Sequence, residues 1–219
     1  MATREHFTHE LATVRADLLA LGQVAATALT HAVAALQQRD MGWAQRVIAA
    51  DAPIDATTQR LEAHIFMLIA TQQPVATDLR QLIAAIKMSS ELERIADYAK
   101  GIARIVVRHG EHLPAVLPAN LLALSQQATA MLYAALAAFA AQDVAAATAL
   151  SAADDVADAL YAQVEAALLD QMQREPTTSV WVVRLLLAAH HLERVADRAT
   201  NLAERVIFIA AGDVIDLNP

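Results

Sequence analysis

The sequence lacks cysteine altogether, and only 5 of its 219 residues are glycine and 6 are proline. The absence of thiols excludes disulfides, thiolate zinc sites and cysteine nucleophiles, and it favours a reducing compartment. Aromatic residues are also scarce at 4%, whereas hydrophobic residues, many of them alanine, make up 57% of the chain. Few helix breakers combined with abundant alanine and leucine predict an all-α protein.

Basic residues are fewer than acidic residues. The chain has 16 Lys and Arg against 24 Asp and Glu, which gives a formal net charge of −8. Such an acidic balance disfavours nucleic acid as a partner and suits cations. The segment Met1–Leu11 carries Arg4, Glu5 and Glu10, so it lacks the apolar core of a signal peptide. We therefore expect a cytoplasmic protein.

One stretch lacks charge entirely. Leu113–Gln142 contains no acidic or basic residue and is long enough to cross a membrane. However, polar residues such as Asn120, Ser125 and Thr129 interrupt it, and alanine is only weakly apolar. Its larger apolar residues recur at helical spacing, at Leu121, Leu124, Leu132 and Phe139. This pattern predicts a bundle helix with one apolar face rather than a membrane span.

A segment of the chain occurs twice. Glu91–Arg104 reads ELERIADYAKGIAR and His191–Arg205 reads HLERVADRATNLAER, and the two align without a gap at an offset of 100 residues. A repeat this close predicts one structural unit used twice.

Apolar periodicity and breakers divide the chain into six long helices. Pro74 and Pro176 each end the second helix of a half, because the residue before a proline avoids the α conformation. The predicted helices cover about residues 3–38, 43–71, 76–107, 119–141, 143–173 and 178–210. The predicted fold is two pseudo-symmetric three-helix bundles, over residues 1–110 and 111–219. The tail Gly212–Pro219 is expected to fray.

Acidic residues recur as pairs four residues apart on the second and third helices of each half. Because a helical turn spans 3.6 residues, both carboxylates of a pair face one side, and like charges at this spacing cost about 0.2–0.5 kcal/mol. A hard cation is the simplest candidate to offset that cost. The pairs are Asp51 and Asp55, Glu93 and Asp97, Asp154 and Asp158, and Glu193 and Asp197.

The spacing also places the pairs of each half at matching heights. Asp55 and Glu93 both lie 19 residues from Pro74, and the second-half counterparts lie 18 and 17 residues from Pro176. Antiparallel helices joined by a short turn bring such residues level. Four converging carboxylates are oxygen ligands that suit magnesium, calcium, manganese or iron.

A structural interpretation competes with the metal site. An acidic residue on an alanine-rich helix is commonly solvated, and Arg94 stands at salt-bridge spacing from Asp97. His190 and His191 adjoin the second-half pairs and are weaker ligand candidates.

The chain resembles the PhoU family of bacterial phosphate-transport accessory proteins and phosphate-regulon repressors. The resemblance covers nearly the whole chain and is carried by the two acidic signatures, Leu92–Asp97 and Leu192–Asp197. It also includes His6-Phe7, Glu10-Leu11, Val47-Ile48, Ile54-Asp55, Gln73-Pro74, Asp78-Leu79-Arg80 and Ala199–Glu204.

The resemblance implies two three-helix bundles, often paired as a homodimer, with metal ions held by the acidic pairs. Magnesium, manganese, iron and zinc all remain open as the bound metal. The implied ligands are Asp51, Asp55, Glu93 and Asp97 in the first half, and Asp154, Asp158, Glu193 and Asp197 in the second.

The first half departs from the second in three ways. Asp78-Leu79-Arg80 has no counterpart in the second half, which reads Val180-Trp181-Val182-Val183-Arg184. Gly101 stands where the second half has Asn201, and Pro53 divides the first aspartate pair and is expected to kink or start its helix. We therefore expect the first site to differ from the second in geometry or occupancy.

By resemblance, the protein is a cytoplasmic, non-enzymatic regulator that is peripheral to the inner membrane through its partners. The resemblance implies that it links the phosphate ABC importer to a membrane sensor histidine kinase and damps both when phosphate is ample. No catalytic nucleophile or phosphate-cradling glycine-rich loop stands out in the sequence. Two alternatives remain: a helical spacer without metal, and a carboxylate-bridged di-iron oxidase, whose Glu-x-x-His motif the sequence lacks.

Overall fold

The computed structural model describes the backbone of residues 2–218 and the side chains of residues 4–218. Within this range the chain forms seven α-helices and two 3-10 turns, and it contains no β-strand. The 3-10 turns cover Gly110–His112 and Pro176–Thr178. The helices are α1 (Ala2–Gln38), α2 (Met41–Gln72), α3 (Ala76–His109), α4 (Ala119–Ala141), α5 (Val144–Thr148), α6 (Leu150–Arg174) and α7 (Ser179–Ala211). The prediction of an all-α fold is confirmed.

The long helices form two three-helix groups. In the first half α1, α2 and α3 pack on one another, and in the second half α4, α6 and α7 do the same. The third helices of the two halves, α3 and α7, also pack against each other. They hold 13 and 15 buried residues, against 7 in α2 and 5 in α6, so they are the central pair of the fold.

The buried side chains of both halves form one continuous hydrophobic core. The predicted boundary between residues 110 and 111 falls inside the 3-10 turn that separates α3 from α4.

Turn chemistry repeats along with the helices. The Asp40 carboxylate accepts a hydrogen bond from the Trp43 amide at 2.9 Å and caps α2, while Asp143 accepts one from the Ala146 amide at 3.0 Å and caps α5. Such side-chain caps satisfy backbone amides that have no partner within the helix. The two halves therefore begin their second helices in the same way.

Helix boundaries agree with the prediction within two residues, with one irregularity. The fifth predicted helix, residues 143–173, is divided at Ala149 into α5 and α6. Ala149 forms a single-residue turn with near-helical dihedrals, φ −66° and ψ −15°, so the division is a local irregularity. Nothing in this alanine-rich segment marks the position of the break.

Pro53 does not start a helix, and that alternative is wrong. α2 runs continuously through it from Met41 to Gln72. A proline inside a helix removes one backbone hydrogen bond and costs about 3 kcal/mol. Buried residues before and after it, such as Val47 and Ile54, pack into the core and keep both sides of the segment in place.

Two helices are long and apolar enough to cross a membrane by length and composition, α1 over Arg4–Gln38 and α4 over Ala119–Ala141. Half of each apolar window is buried inside the protein. Because core helices of a bundle pass the same test, this finding is weak evidence for a span. α4, which covers most of the uncharged stretch Leu113–Gln142, packs against α6 and α7.

The tail after α7 forms no regular structure, and residues 213, 214, 216 and 218 are exposed, but contacts at Leu217 hold it against the protein; Pro219 lies outside the described residues. Ser151 Oγ donates a hydrogen bond to the Leu217 carbonyl at 3.0 Å, and the Leu217 amide donates one to Glu204 Oε1 at 3.0 Å. Ile215 and Leu217 are half-buried against the core. These contacts, which apolar periodicity does not reveal, hold the tail against the second half.

Packing explains why the first half has Gly101 where the second half has Asn201. A Cβ atom at residue 101 would lie only 2.6 Å from His191 Nε2, so only glycine admits the imidazole of α7 at this point of α3. The same imidazole lies 5.8 Å, centroid to centroid, from the Tyr98 ring. Nearby, Arg198 Nη1 and Glu91 Oε2 form an ion pair at 3.1 Å. Gly101 thus serves the contact between the two halves.

We predict that Gly101→Ala destabilises the protein by about 1–3 kcal/mol, because it overpacks the contact with His191. In a His191→Ala background the same substitution should instead stabilise by up to about 1 kcal/mol, since alanine favours helix over glycine. Urea denaturation of the four proteins in this cycle measures both effects. An equal effect of Gly101→Ala in both backgrounds would contradict the proposed contact.

Candidate metal centres

The eight predicted ligands lie on the helices that were expected to carry them. The first acidic set, defined as Asp51, Asp55, Glu93 and Asp97, is placed by α2 and α3. The second acidic set, defined as Asp154, Asp158, Glu193 and Asp197, is placed by α6 and α7.

The charges of the other three carboxylates of the first acidic set affect the pKa of Glu93. Burial is the largest cause that raises the pKa of Glu93, followed by the charges of Asp97 and Asp55. Arg94 opposes this effect, and Asp51 adds to it. The structure therefore brings the four carboxylates of the first set within electrostatic reach of each other.

A lysine lies between the two helices of the first acidic set. Lys100 Nζ is 2.5 Å from Asp51 Oδ2 on α2 and 2.9 Å from Asp97 Oδ1 on its own helix. Burial alone would lower the pKa of Lys100, but the hydrogen bonds and charges of Asp51 and Asp97 outweigh burial and raise it. The ammonium therefore stays charged and neutralises two of the four carboxylates.

The second acidic set has no lysine at the corresponding position, which is occupied by Thr200, 100 residues after Lys100. The Thr200 hydroxyl donates its hydrogen bond to the Ala196 carbonyl at 3.2 Å. Asp154 is only 2% exposed. Burial, then the charges of Asp197 and Asp158, raises its pKa to about 6, although a side-chain hydrogen bond with Thr200 lowers it.

Glu193 shows the same electrostatic crowding. Burial, and then the charge of Asp197, raises its pKa to about 7, with smaller contributions from Asp158 and Asp154 and opposition from Arg194. Among the described side chains, Glu193 Oε2 and Asp154 Oδ1 are buried and have no hydrogen-bond partner. A buried carboxylate oxygen without a partner is costly, and a bound cation is one way to satisfy it.

Asp197 is the member of the second acidic set that the protein itself satisfies. Arg194 Nη1 donates to its Oδ2 at 2.7 Å, and Asn218 Nδ2 of the tail donates to its Oδ1 at 3.2 Å. One of the four carboxylates is thus paired by a guanidinium, while Asp154 and Glu193 retain unpaired oxygens.

The histidine candidates contribute little to this arrangement. His190 Nδ1 lies 3.5 Å from Glu193 Oε2 without hydrogen-bond geometry, and its side chain is 52% exposed. His191 packs at the contact between α3 and α7, where burial lowers its pKa.

As the side chains lie, no three Asp, Glu or His residues within the described chain form a group close enough to hold one metal ion. Coordination in either acidic set therefore requires side chains to rotate towards each other. The second acidic set fits a hard cation because its oxygen donors include two buried, unpartnered atoms. In the first acidic set, Lys100 already holds two of the oxygens.

Three residues near these sets were not predicted as part of a site: Lys100, Thr200 and Asn218. Lys100 stands three residues after Asp97, a spacing at which helical ion pairs form, and this was the available signal. The hydrogen bond from Lys100 to Asp51 on another helix, and the one from Asn218 to Asp197, depend on tertiary structure. The sequence therefore contains no sign of them.

A family of known proteins matches each half of the internal repeat separately. The model of the PhoU domain family matches residues 18–106 and again residues 121–206. The chain is 32% identical over 213 residues to the phosphate-specific transport system accessory protein PhoU homolog of Caulobacter vibrioides, covering 96% of this chain and 92% of that protein. It is 29% identical over 217 residues to the homolog of Clostridium acetobutylicum, covering 99% of both.

Solved structures show the same likeness. PhoU from Pseudomonas aeruginosa superposes with a TM-score of 0.90 at 32% sequence identity, covering 94% of this chain and 100% of that one. The phosphate transport system regulatory protein PhoU from Streptococcus pneumoniae gives a TM-score of 0.87 at 26% identity, covering 96% and 99%.

Proposed function

The chain belongs to the PhoU family, and from that premise we propose that it damps the phosphate ABC importer and the phosphate-sensing histidine kinase when phosphate is ample. The observation that carries this proposal is the match of both halves to the PhoU domain, together with the likeness of the whole fold to solved PhoU structures. The relatives are described as accessory and regulatory proteins of phosphate transport, which supports a non-enzymatic role here. The site of action is then the cytoplasmic face of the membrane that holds the importer.

We also propose that the second acidic set binds a hard cation. Asp154, Asp158, Glu193 and Asp197 would hold it, and its charge would neutralise carboxylates that now repel one another. Since these residues lie on α6 and α7, such an ion would tie the two helices together. The burial of Asp154 argues against the alternative spacer, in which the acidic pairs are solvated.

Deletion of the gene tests the regulatory role. In the organism that encodes the chain, we expect the deletion strain to keep phosphate uptake and phosphate-starvation gene expression several-fold above the wild-type level in phosphate-rich medium. The measurements are uptake of labelled phosphate and a transcriptional reporter. Return of the wild-type gene should restore repression, and wild-type levels in the deletion strain would contradict the proposal.

Metal removal tests the second acidic set. At pH 8, wild-type protein should be more stable with excess Mn²⁺ than with chelator, by about 2.7 kcal/mol at one hundred times the dissociation constant. The Glu193→Gln plus Asp197→Asn variant should show no such difference, because it keeps the side-chain shapes and loses the charges that bind the ion. Thermal and urea denaturation report the shift, with Mg²⁺ and Fe²⁺ titrated separately.

The same experiment at pH 5 serves as its control. The pKa values of Asp154 and Glu193, about 6 and about 7, exceed their ordinary values of 3.8 and 4.5, so the folded state holds protons that the unfolded state releases. Metal-free stability should therefore fall as pH rises through this window, and the response to metal should be small at pH 5. If wild type and variant respond equally to metal at pH 8, Glu193 and Asp197 do not hold the ion and the proposed site is wrong, and only the absence of any response in both proteins would favour the spacer.

We propose further that two copies of the chain associate. α7 exposes Val180, Val183 and Leu187 on one face, with exposed fractions of 54%, 49% and 40%. Light scattering should give a mass twice that of the 23.5 kDa chain, and Val183→Lys plus Leu187→Lys should shift it to the monomer. A monomer at every concentration of the wild-type protein would refute the association.

A further inference from the structure

The two acidic sets differ at one position that the repeat places in register. Glu93 and Asp97 correspond to Glu193 and Asp197 at an offset of 100 residues, and at the same offset Lys100 corresponds to Thr200. Both residues lie one turn after the aspartate of their signature, so both side chains are carried towards their own acidic set.

Lys100 contacts carboxylates on both helices of the first acidic set. Its Nζ contacts Asp51 on α2 at 2.5 Å and Asp97 on α3 at 2.9 Å, so it joins the same two helices as the predicted metal. The Lys100 and Asp51 side chains are only 15% and 16% exposed, which removes the contact from most of the solvent. A metal bound by the same carboxylates would have to displace the ammonium or sit beside its charge.

Thr200 supplies no positive charge to the second acidic set. Its hydroxyl carries no charge and is engaged by the Ala196 carbonyl. Arg194 pairs with Asp197, but Asp154 Oδ1 and Glu193 Oε2 are buried and unpartnered among the described residues. The unmet need for positive charge is therefore concentrated in the second half.

We propose that Lys100 is a built-in counter-ion that closes the first acidic set to metal, so that this chain binds metal only in its second half. The inference rests on the proposed metal binding of the second acidic set. The first half would then be free of metal and the second half would bind it, although the acidic ligands of both halves are the same residue types in the same order.

Exchange of the two in-register residues tests the inference in the full chain. Metal-free protein is titrated with Mn²⁺, and bound metal is measured by equilibrium dialysis and elemental analysis. Relative to wild type, Lys100→Thr should double the bound metal, whereas Thr200→Lys should abolish it. Lys100→Arg is the matched control, because it keeps the charge and should leave the bound amount unchanged.

The exchange of both residues locates the metal. Lys100→Thr plus Thr200→Lys should bind as much metal as wild type but in the first half. Addition of Glu93→Gln and Asp97→Asn should then remove the metal from this variant, while the same pair of substitutions should leave binding by wild type intact. If Lys100→Thr fails to fold, as judged by circular dichroism, Lys100→Gln takes its place in every arm.

The outcomes separate the inference from the function on which it rests. If wild type binds metal and Lys100→Thr binds no more, the inference is overturned and the metal site of the second half stands. If wild type loses metal when Glu93 and Asp97 are neutralised, the first acidic set is open and the inference is again overturned. If no variant binds metal, both the inference and the proposed metal site are wrong.

Discussion

The packing of α3 against α7 is the constraint on which the rest of the structure depends. A three-helix group of this size leaves one side of its third helix uncovered, and each half covers that side of the other. The contact includes the space at Gly101 that admits His191 and the ion pair between Glu91 and Arg198. Residue 101 must be small here because the imidazole of α7 occupies the space that a larger side chain would need.

This central pair also determines where the acidic sets lie. α3 and α7 each carry a Glu-x-x-x-Asp pair beside the outer helix of its own half, α2 or α6. Glu93, Glu193 and Asp197 are partly buried there, whereas Asp97 is exposed. Burial, and then the charges of neighbouring carboxylates, raises the pKa of Glu93 in the first set and of Asp154 and Glu193 in the second. The protein must therefore supply positive charge or protons at both places, and it does so differently in the two halves.

Much of this could be predicted from sequence because the strongest signals are local. Pro74 and Pro176 end helices by a steric rule, Asp40 caps α2 by a hydrogen bond to a residue three positions away, and the acidic pairs follow helical periodicity. What could not be predicted depends on contacts between elements distant in sequence. The bridge from Lys100 to Asp51 spans 49 residues, and the tail is held by Glu204 and Ser151 through hydrogen bonds that no periodic pattern encodes. The passage of α2 through Pro53 also reflects packing, which outweighs local preference.

On the two proposals made above, an ammonium supplies positive charge in the first half and a bound ion supplies it in the second, and these two sources have different physical consequences. An ammonium carried by the chain is present at every metal concentration, whereas a bound ion stabilises the fold only in proportion to its concentration above the dissociation constant. On the proposal for Lys100, the contact between α2 and α3 is therefore permanent, and the contact between α6 and α7 depends on the ion. Since α3 and α7 share one continuous core, loosening of the second half changes the support that α7 gives to α3. On this proposal, the two halves carry the same acidic ligands but differ in how their helices are held together. The first half is held at every metal concentration and the second only when metal is bound, because residue 100 is Lys and the corresponding residue 200 is Thr.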